Sequence, residues 1–301
     1  MVNPPSFESR RPIARTELVH ELRRLGVGRT STVMVHASMS VLGWVVGGTG
    51  TLVLALQAVM GERGTVSSVL SWEDIPLHLD EWPDVWKRVY LEELPGFEPR
   101  TSAANPSYGR FPERLRTWPG ARHSAHPDQR VAAVGPAAEW LTASHPLNDS
   151  FGVGTPFARL VEIEGDVLML GAPLRSLTLL HHAEAQADVP DKRRWSYRLP
   201  FARDDDTTEW RELHDIDVER GPFPYHRVVP RGQHHLEVIA RDALDAGVGE
   251  SRRIGEAACY LFPAPLLVEF AISWLERRFG RNAARAEYEH AASSLATTDR
   301  L

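Results

Sequence analysis

Residues 33–60 read VMVHASMSVLGWVVGGTGTLVLALQAVM. The stretch opens as a strand: Thr32 to His36 (TVMVH) is short and apolar, which fits a buried strand. It closes as a helix, from about Thr49 to Met60, ended by Gly61. Thr65 to Ser71 (TVSSVLS) reads as a further strand. The loop ASMSVLGWVVGG (37–48) separates the first strand from the helix, and small residues cluster around it at Ala37, Ser38, Ser40, Gly43, Gly47, Gly48 and Gly50. Small residues let a ligand approach the backbone closely. A helix beginning after Gly48 offers N–H donors and partial positive charge, suited to a phosphate or a developing oxyanion. The loop is neither a GxxxxGK[ST] phosphate loop nor a GxGxxG dinucleotide fingerprint. Two readings stand on this segment alone: a cradle for an anionic cofactor, or a tight turn with no ligand.

Working outward, the alternation continues. Residues 1–13 hold three prolines and no apolar period, which predicts a flexible arm. Thr16 is placed to cap a helix with Leu18, Leu22 and Leu25 on its apolar face, closed by Gly26. Further helices are expected over 113–117, 137–144, 156–163 and 177–187, with strands at Arg130 to Val134 and Asp166 to Leu170. Leu236 to Ala246 and Pro265 to Phe279 read as amphipathic helices, the second presenting Leu266, Phe270, Ile272, Trp274 and Leu275. Segments 72–110 and 194–230 read as irregular. Strands alternating with helices favour an α/β sheet that is at least partly parallel. With no repeat and no evident linker, residues 14–301 are expected to form one catalytic domain.

Composition limits the function classes. The 301 residues carry a formal net charge of −6, which argues against a nucleic-acid binder and is compatible with a cationic substrate. The single cysteine, Cys259, allows no intrachain disulfide and suits a reducing compartment. The N-terminal sequence lacks an apolar signal core, and the longest apolar stretch, Leu52 to Met60, is too short to span a bilayer. A cytoplasmic protein is expected.

A second constellation lies at TLLHHAE (178–184). On a helix Thr178, His181 and Glu184 fall three apart and share one face, which then carries a hydroxyl, an imidazole and a carboxylate. An imidazole oriented by a carboxylate can move a proton near neutral pH; the plainer alternative is a satisfied core or surface histidine. His182 points elsewhere. A second HHxE occurs at His234-His235-Leu236-Glu237, and together the two copies raise a metal-dependent hydrolase as a rival reading. Neither copy matches HExxH. Acidic residues recur in the irregular segments, at Glu73, Asp74, Asp80, Glu81, Asp84, Glu92 and Glu93, and at Asp215, Asp217 and Glu219. Interleaved with Trp and Tyr, they suit an amino-sugar, whose ammonium groups pair with carboxylates while its ring packs on aromatics. A solvated charged loop is the alternative.

Six stretches, in order, resemble the aminoglycoside 3-N-acetyltransferase family: VMVHASMSVLGWVVGG (33–48), FEPRTSAANPSYGRFPE (97–113), RHSAHPDQRVAAVGP (122–136), HPLNDSFGVGTPFARL (145–160), VLMLGAPLRSLTLLHHAEAQADVPDKRR (167–194) and YLFPAPLLVEFAISWLE (260–276). The likeness runs from about residue 16 to residue 280. It implies an antibiotic N-acetyltransferase-like fold, a mixed, partly parallel central sheet flanked by helices. It also implies acetyl-coenzyme A as donor, the 3-amino group of a 2-deoxystreptamine aminoglycoside as acceptor, direct transfer without an acyl-enzyme, and antibiotic resistance as the outcome. His181 falls on the family's catalytic histidine, Glu184 on its glutamate and Thr178 on the threonine of that motif. Ser38, Met39, Ser40, Gly43, Val45, Val46, Gly47 and Gly48 fall on the loop expected to cradle the pantetheine arm and thioester. Ser124, His126, Phe151, Gly152 and Thr155 fall in other stretches associated with the cofactor. Glu73, Asp74, Asp217 and Glu219 are the expected sugar-binding residues. The oxyanion is assigned to backbone N–H groups of Met39 to Val46 with the Thr178 hydroxyl. No metal, nucleic-acid or membrane partner is expected, and the chain is expected to be a monomer or homodimer.

Overall fold

The computed structural model describes residues 11–281, except 29–30, 78, 80 and 205–206. Most of the expected arm (residues 1–10), Asp80, and the expected catalytic domain beyond residue 281 therefore lie outside the described residues.

In chain order, strand β1 is Pro12–Ile13, helix α1 Arg15–Leu25, β2 Thr32–Ala37, α2 Met39–Leu42, β3 Trp44–Val45, α3 Gly48–Met60, β4 Thr65–Val69, α4 Asp84–Glu93, α5 Arg110–Arg116, β5 Arg122–His123 and β6 Val131–Val134. Then come α6 Ala138–Thr142, α7 Pro156–Glu162, β7 Asp166–Leu170, α8 Leu179–Gln186, β8 Arg194–Ala202, β9 Thr208–Ile216, α9 His235–Asp245, β10 Glu250–Ile254, β11 Ala257–Pro263 and α10 Ala264–Phe279.

Seven strands form the central sheet in the order β10-β11-β7-β2-β4-β6-β5. Its middle, β7-β2-β4, is parallel, and the flanking pairs are antiparallel. The near-continuous apolar runs of β2 and β7 follow from this placement, since parallel strands are covered on both faces. Val33, Val35, Leu168 and Leu170 join a core with α1, α3 and α5. The alternate residues Met34, Val167 and Met169 join the opposite core with α7, α8, α9 and α10. The period of two along each strand thus sorts the helices onto two sides.

Several expectations change. Helix α1 begins at Arg15 with Ala14 at its N-cap, so Thr16 lies inside the first turn and caps nothing. Pro12 and Ile13 do not belong to a loose arm: they pair with Trp44 and Val45, and Ile13 is buried in the core. On α10 the inward stripe is Leu267, Val268, Ala271, Trp274 and Leu275, whereas Leu266 faces solvent. Segment 72–110 contains α4, none of whose residues is buried, so it carries no core-facing apolar period to read. The hairpin β10–β11 was also not anticipated.

The two segments expected to be irregular pack on each other. Trp72, Leu94 and Phe97 of the first join Tyr197, Leu199, Phe201 and Leu213 of the second in a separate small core. Phe97 and the β8–β9 hairpin exchange backbone bonds: the Phe97 N–H donates to Pro200 O (2.8 Å) and the Ala202 N–H to Phe97 O (3.0 Å). Gly96 permits this approach, because a Cβ there would overlap the backbone of Phe201 and Ala202.

Candidate active site

The parallel strands β2, β4 and β7 end on one side of the sheet, where α/β folds place their ligands. A cavity of about 490 Å³ opens there. Its floor comes from those strand ends: His36 and Ala37 on β2 with Ser38 just after it, Ser68 and Val69 on β4, Ala172 and Pro173 after β7. Thr178 and His181, at the start of α8, form one wall. Tyr108, Gln129, Glu219 and His234 contribute others, and Arg175 stands at the rim.

Helix α8 brings His181 and Glu184 together, as their spacing predicts. Nδ1 of His181 lies 2.6 Å from Oε2 of Glu184. Glu184 is fully buried. Burial opposes its charge, but the charge and hydrogen bond of His181, with His235 close by, outweigh that and hold the carboxyl at about 2. A carboxylate accepts only, so Nδ1 of His181 carries a hydrogen, and in the neutral ring the lone pair is on Nε2. The Phe151 ring lies beside His181, with centroids 5.0 Å apart. His182 turns away into the core and binds the carbonyl of Phe151 through Nδ1 at 2.6 Å.

The other oxygen of Glu184 is also engaged. Oε1 accepts from the Tyr225 hydroxyl, and Nε2 of His235 stands 3.4 Å from it. Burial and the neighbouring Glu184 charge raise the Tyr225 pKa far above its ordinary value, so it remains a neutral donor. His234 accepts the Leu236 N–H as the N-cap of α9. Burial, then the nearby His235, His181 and Arg175, lower its pKa to about 4, so it is neutral at pH 7. Burial lowers His36 likewise, to about 4; its Nε2 is enclosed without a hydrogen-bond partner among the described residues. The two HHxE segments therefore do meet, around Glu184. Among the described residues no group of three or more His, Cys, Asp or Glu is placed to hold a metal ion.

The remaining expected site residues divide. Thr178 lines the cavity and its hydroxyl donates to Ser176 O at 3.3 Å. Ser38 lines it too, with its hydroxyl 3.3 Å from that of Ser40. Met39 is half-buried and opens α2. Gly43 and Val45 are buried, while Val46 and Gly47 are exposed at the approach to α3, outside the cavity's lining. Gly47 (φ 79°) and Gly48 (φ 63°) turn the chain into α3 through left-handed conformations. The start of α3 has no side-chain cap and no acidic residue in its first turn. The oxyanion assignment needs correction for most of this loop. Val41 and Leu42 donate their N–H groups to Ser38 O, Gly43 to Met39 O, Val45 to Gly43 O and Val46 to Ile13 O.

Ser124, His126, Phe151 and Thr155 are buried behind the wall rather than facing the cavity. Ser124 accepts the Val131 N–H and bonds His145, while His126 accepts the Gln129 N–H. Thr155 caps α7 and donates to the carbonyl of Gly152. Of these, Phe151 touches His181, and none of Ser124, His126, Phe151, Gly152 and Thr155 lines the cavity. Of the expected sugar-binding residues, Glu219 reaches the cavity. Glu73 and Asp74 are exposed outside its lining, and Asp217 is buried, accepting the Arg220 N–H. Sequence reasoning missed Asp128, whose carboxylate accepts from Ser71 and Gln129. Burial lifts its pKa to about 6 against the Gln129 bond, with the Glu219 and Asp215 charges adding to the rise. It also missed His36, Tyr225 and the place of His235. No periodicity marks these residues, and Tyr225 and His235 reach Glu184 only through the fold.

Known proteins share the family and the fold. Residues 34–276 match the family described as aminoglycoside 3-N-acetyltransferase. The chain is 46% identical to aminoglycoside N(3)-acetyltransferase VII of Streptomyces paromomycinus over 271 residues, covering 90% of this chain and 94% of that one. It resembles the crystal structure of aminoglycoside acetyltransferase AAC(3)-Xa with a TM-score of 0.85 and 42% identity, over 90% of this chain and 95% of that one. It resembles AAC-IIIb, solved as a binary complex with CoASH, with a TM-score of 0.80 and 38% identity, over 90% of this chain and 99% of that one. No helix among the described residues is long and apolar enough to cross a membrane. The fold, the cavity at the ends of the parallel strands and these likenesses place the chain in the aminoglycoside 3-N-acetyltransferase family, enzymes of acetyl transfer.

Proposed function

We propose that His181 is the general base for transfer of an acetyl group from acetyl-coenzyme A to the 3-amino group of a 2-deoxystreptamine aminoglycoside, with Glu184 fixing its orientation and tautomer. The observation that carries this is the 2.6 Å contact between His181 Nδ1 and a fully buried carboxylate, made by a histidine that lines the cavity. One proton of the substrate ammonium is released to solvent. Nε2 of His181 takes a second from the nitrogen as it attacks the thioester carbonyl, the C–N bond forms, the C–S bond breaks, and coenzyme A leaves as the thiol with that proton. A positioned base contributes about 10²- to 10⁴-fold, and holding amine and thioester together adds more through proximity.

Backbone engagement at Val41, Leu42, Gly43, Val45 and Val46 leaves the first turn of α2, at Met39, as the oxyanion donor in this reading, and the Thr178 hydroxyl joins it by turning from Ser176 O. The acyl donor is supported by the cavity's position beside Ser38 and by the uncapped start of α3. The Arg114 guanidinium approaches the helix at Gly50, adding positive charge suited to phosphates. For the polycationic acceptor, Glu219 in the cavity wall and Asp128 behind it supply carboxylates.

The test is thiol release from acetyl-coenzyme A with a panel including gentamicin and tobramycin, each product mapped by nitrogen. Acetylation at N3 is expected. Thiol release independent of the aminoglycoside, or acetylation at another nitrogen, contradicts the assignment.

A further inference from the structure

We propose that His235 is a positioning residue: together with Tyr225 it holds the far oxygen of Glu184, and so keeps the carboxylate charged and aligned on His181. This inference rests on the reading of His181 as the base and extends it to the second His-His pair.

Glu184 has no solvent to share its charge with, so both oxygens need donors inside the protein. His181 occupies Oε2. On Oε1 the Tyr225 hydroxyl donates and Nε2 of His235 lies 3.4 Å away. That nitrogen is enclosed, stands at ion-pair distance from Oε1, and has no hydrogen-bond partner among the described residues. A bare lone pair there would face the carboxylate and repel it, so Nε2 bears the hydrogen.

The ring is held from both sides. Tyr225 stacks on it with centroids 4.0 Å apart at 15°, and His234 with centroids 4.5 Å apart at 21°. A side chain so constrained suits a positioning role rather than substrate contact. The adjacent histidines divide the work: His234 caps α9 and faces the cavity, and His235 faces Glu184. The same arrangement joins α9 to α8, so that two elements fix one carboxylate.

Losing an outer partner that orients a histidine costs roughly 10- to 100-fold at metal sites; the same scale is expected here, and on turnover, because Glu184 and His235 do not line the cavity. The experiment compares His235→Phe, which keeps the stack but has no donor, with His235→Gln, which restores an N–H, and with His181→Ala. For His235→Phe, kcat is expected to fall roughly 10- to 100-fold with KM for both substrates near wild type, and His235→Gln recovers most of that loss. Should the Phe variant not fold, His235→Ala replaces it with the same expectation. An inactive His181→Ala beside a donor-less variant at wild-type kcat overturns the role of His235 alone, as does loss of activity in Gln and Phe alike. A fully active His181→Ala overturns the reading beneath it.

Discussion

A carboxyl group without solvent exposure ordinarily gives up its charge; Glu184 keeps its own because two imidazoles and a phenol surround it. Replacing it with Gln removes the charge and leaves Nδ1 of His181 free to choose the wrong tautomer. Glu184→Gln is expected to lower kcat by about 10²- to 10⁴-fold, with acetyl-coenzyme A binding retained in calorimetry. Asp128 lies at the opposite extreme, its pKa raised to about 6 from 3.8. The fold favours its protonated form, so stability declines as pH rises from about 4 to about 6. Asp128→Asn removes that decline: its Tm is expected to match wild type near pH 4 and exceed it above pH 6, read by thermal scans across that range. Equal melting at pH 8 contradicts this. At this scale the sequence made Thr178, His181 and Glu184 legible, because three-residue spacing on a helix is a local property. Tyr225 and His235, which complete the shell of Glu184, lie 41 and 51 positions farther along the chain, and no local pattern links them to it.

Elements whose apolar period was strong, α1, α3 and the strands of the parallel centre, fall close to where the sequence places them. Those that failed lacked such a signal. Helix α4 buries none of its residues, and β1 is two residues long, specified by its partner Trp44–Val45 rather than by its own composition. That short pairing matters to the site because it anchors the loop between β2 and α3 at Val45 and Val46. The β8–β9 hairpin docks in part through a close approach at Gly96. Gly96→Ala forces a methyl into the backbone of Phe201 and Ala202, and is expected to cost about 1–3 kcal/mol, seen as a lower urea midpoint. An unchanged midpoint shows that the hairpin is held by other means.

For the whole molecule, the alternation of strands and helices was sufficient to indicate a partly parallel α/β sheet. It could not indicate which strand lies beside which, and so could not show that the ends of β2, β4 and β7 share one floor. The net charge of −6 acquires meaning only with that geometry, because Glu219 and Asp128 concentrate carboxylates near the cavity. At about 0.1 M salt the screening length is about 10 Å, so attraction of a polyamine is sensitive to ionic strength. KM for the aminoglycoside is expected to rise several-fold between low and high salt while kcat changes little; a flat KM argues against an acidic acceptor site. The account as a whole stands on His181 as the group that takes the proton. The most direct measurement is the turnover of His181→Ala, with calorimetric binding of both substrates to the same protein. Retained binding with kcat reduced by about 10²- to 10⁴-fold is the predicted result, and a variant that binds normally and turns over at the wild-type rate would contradict it.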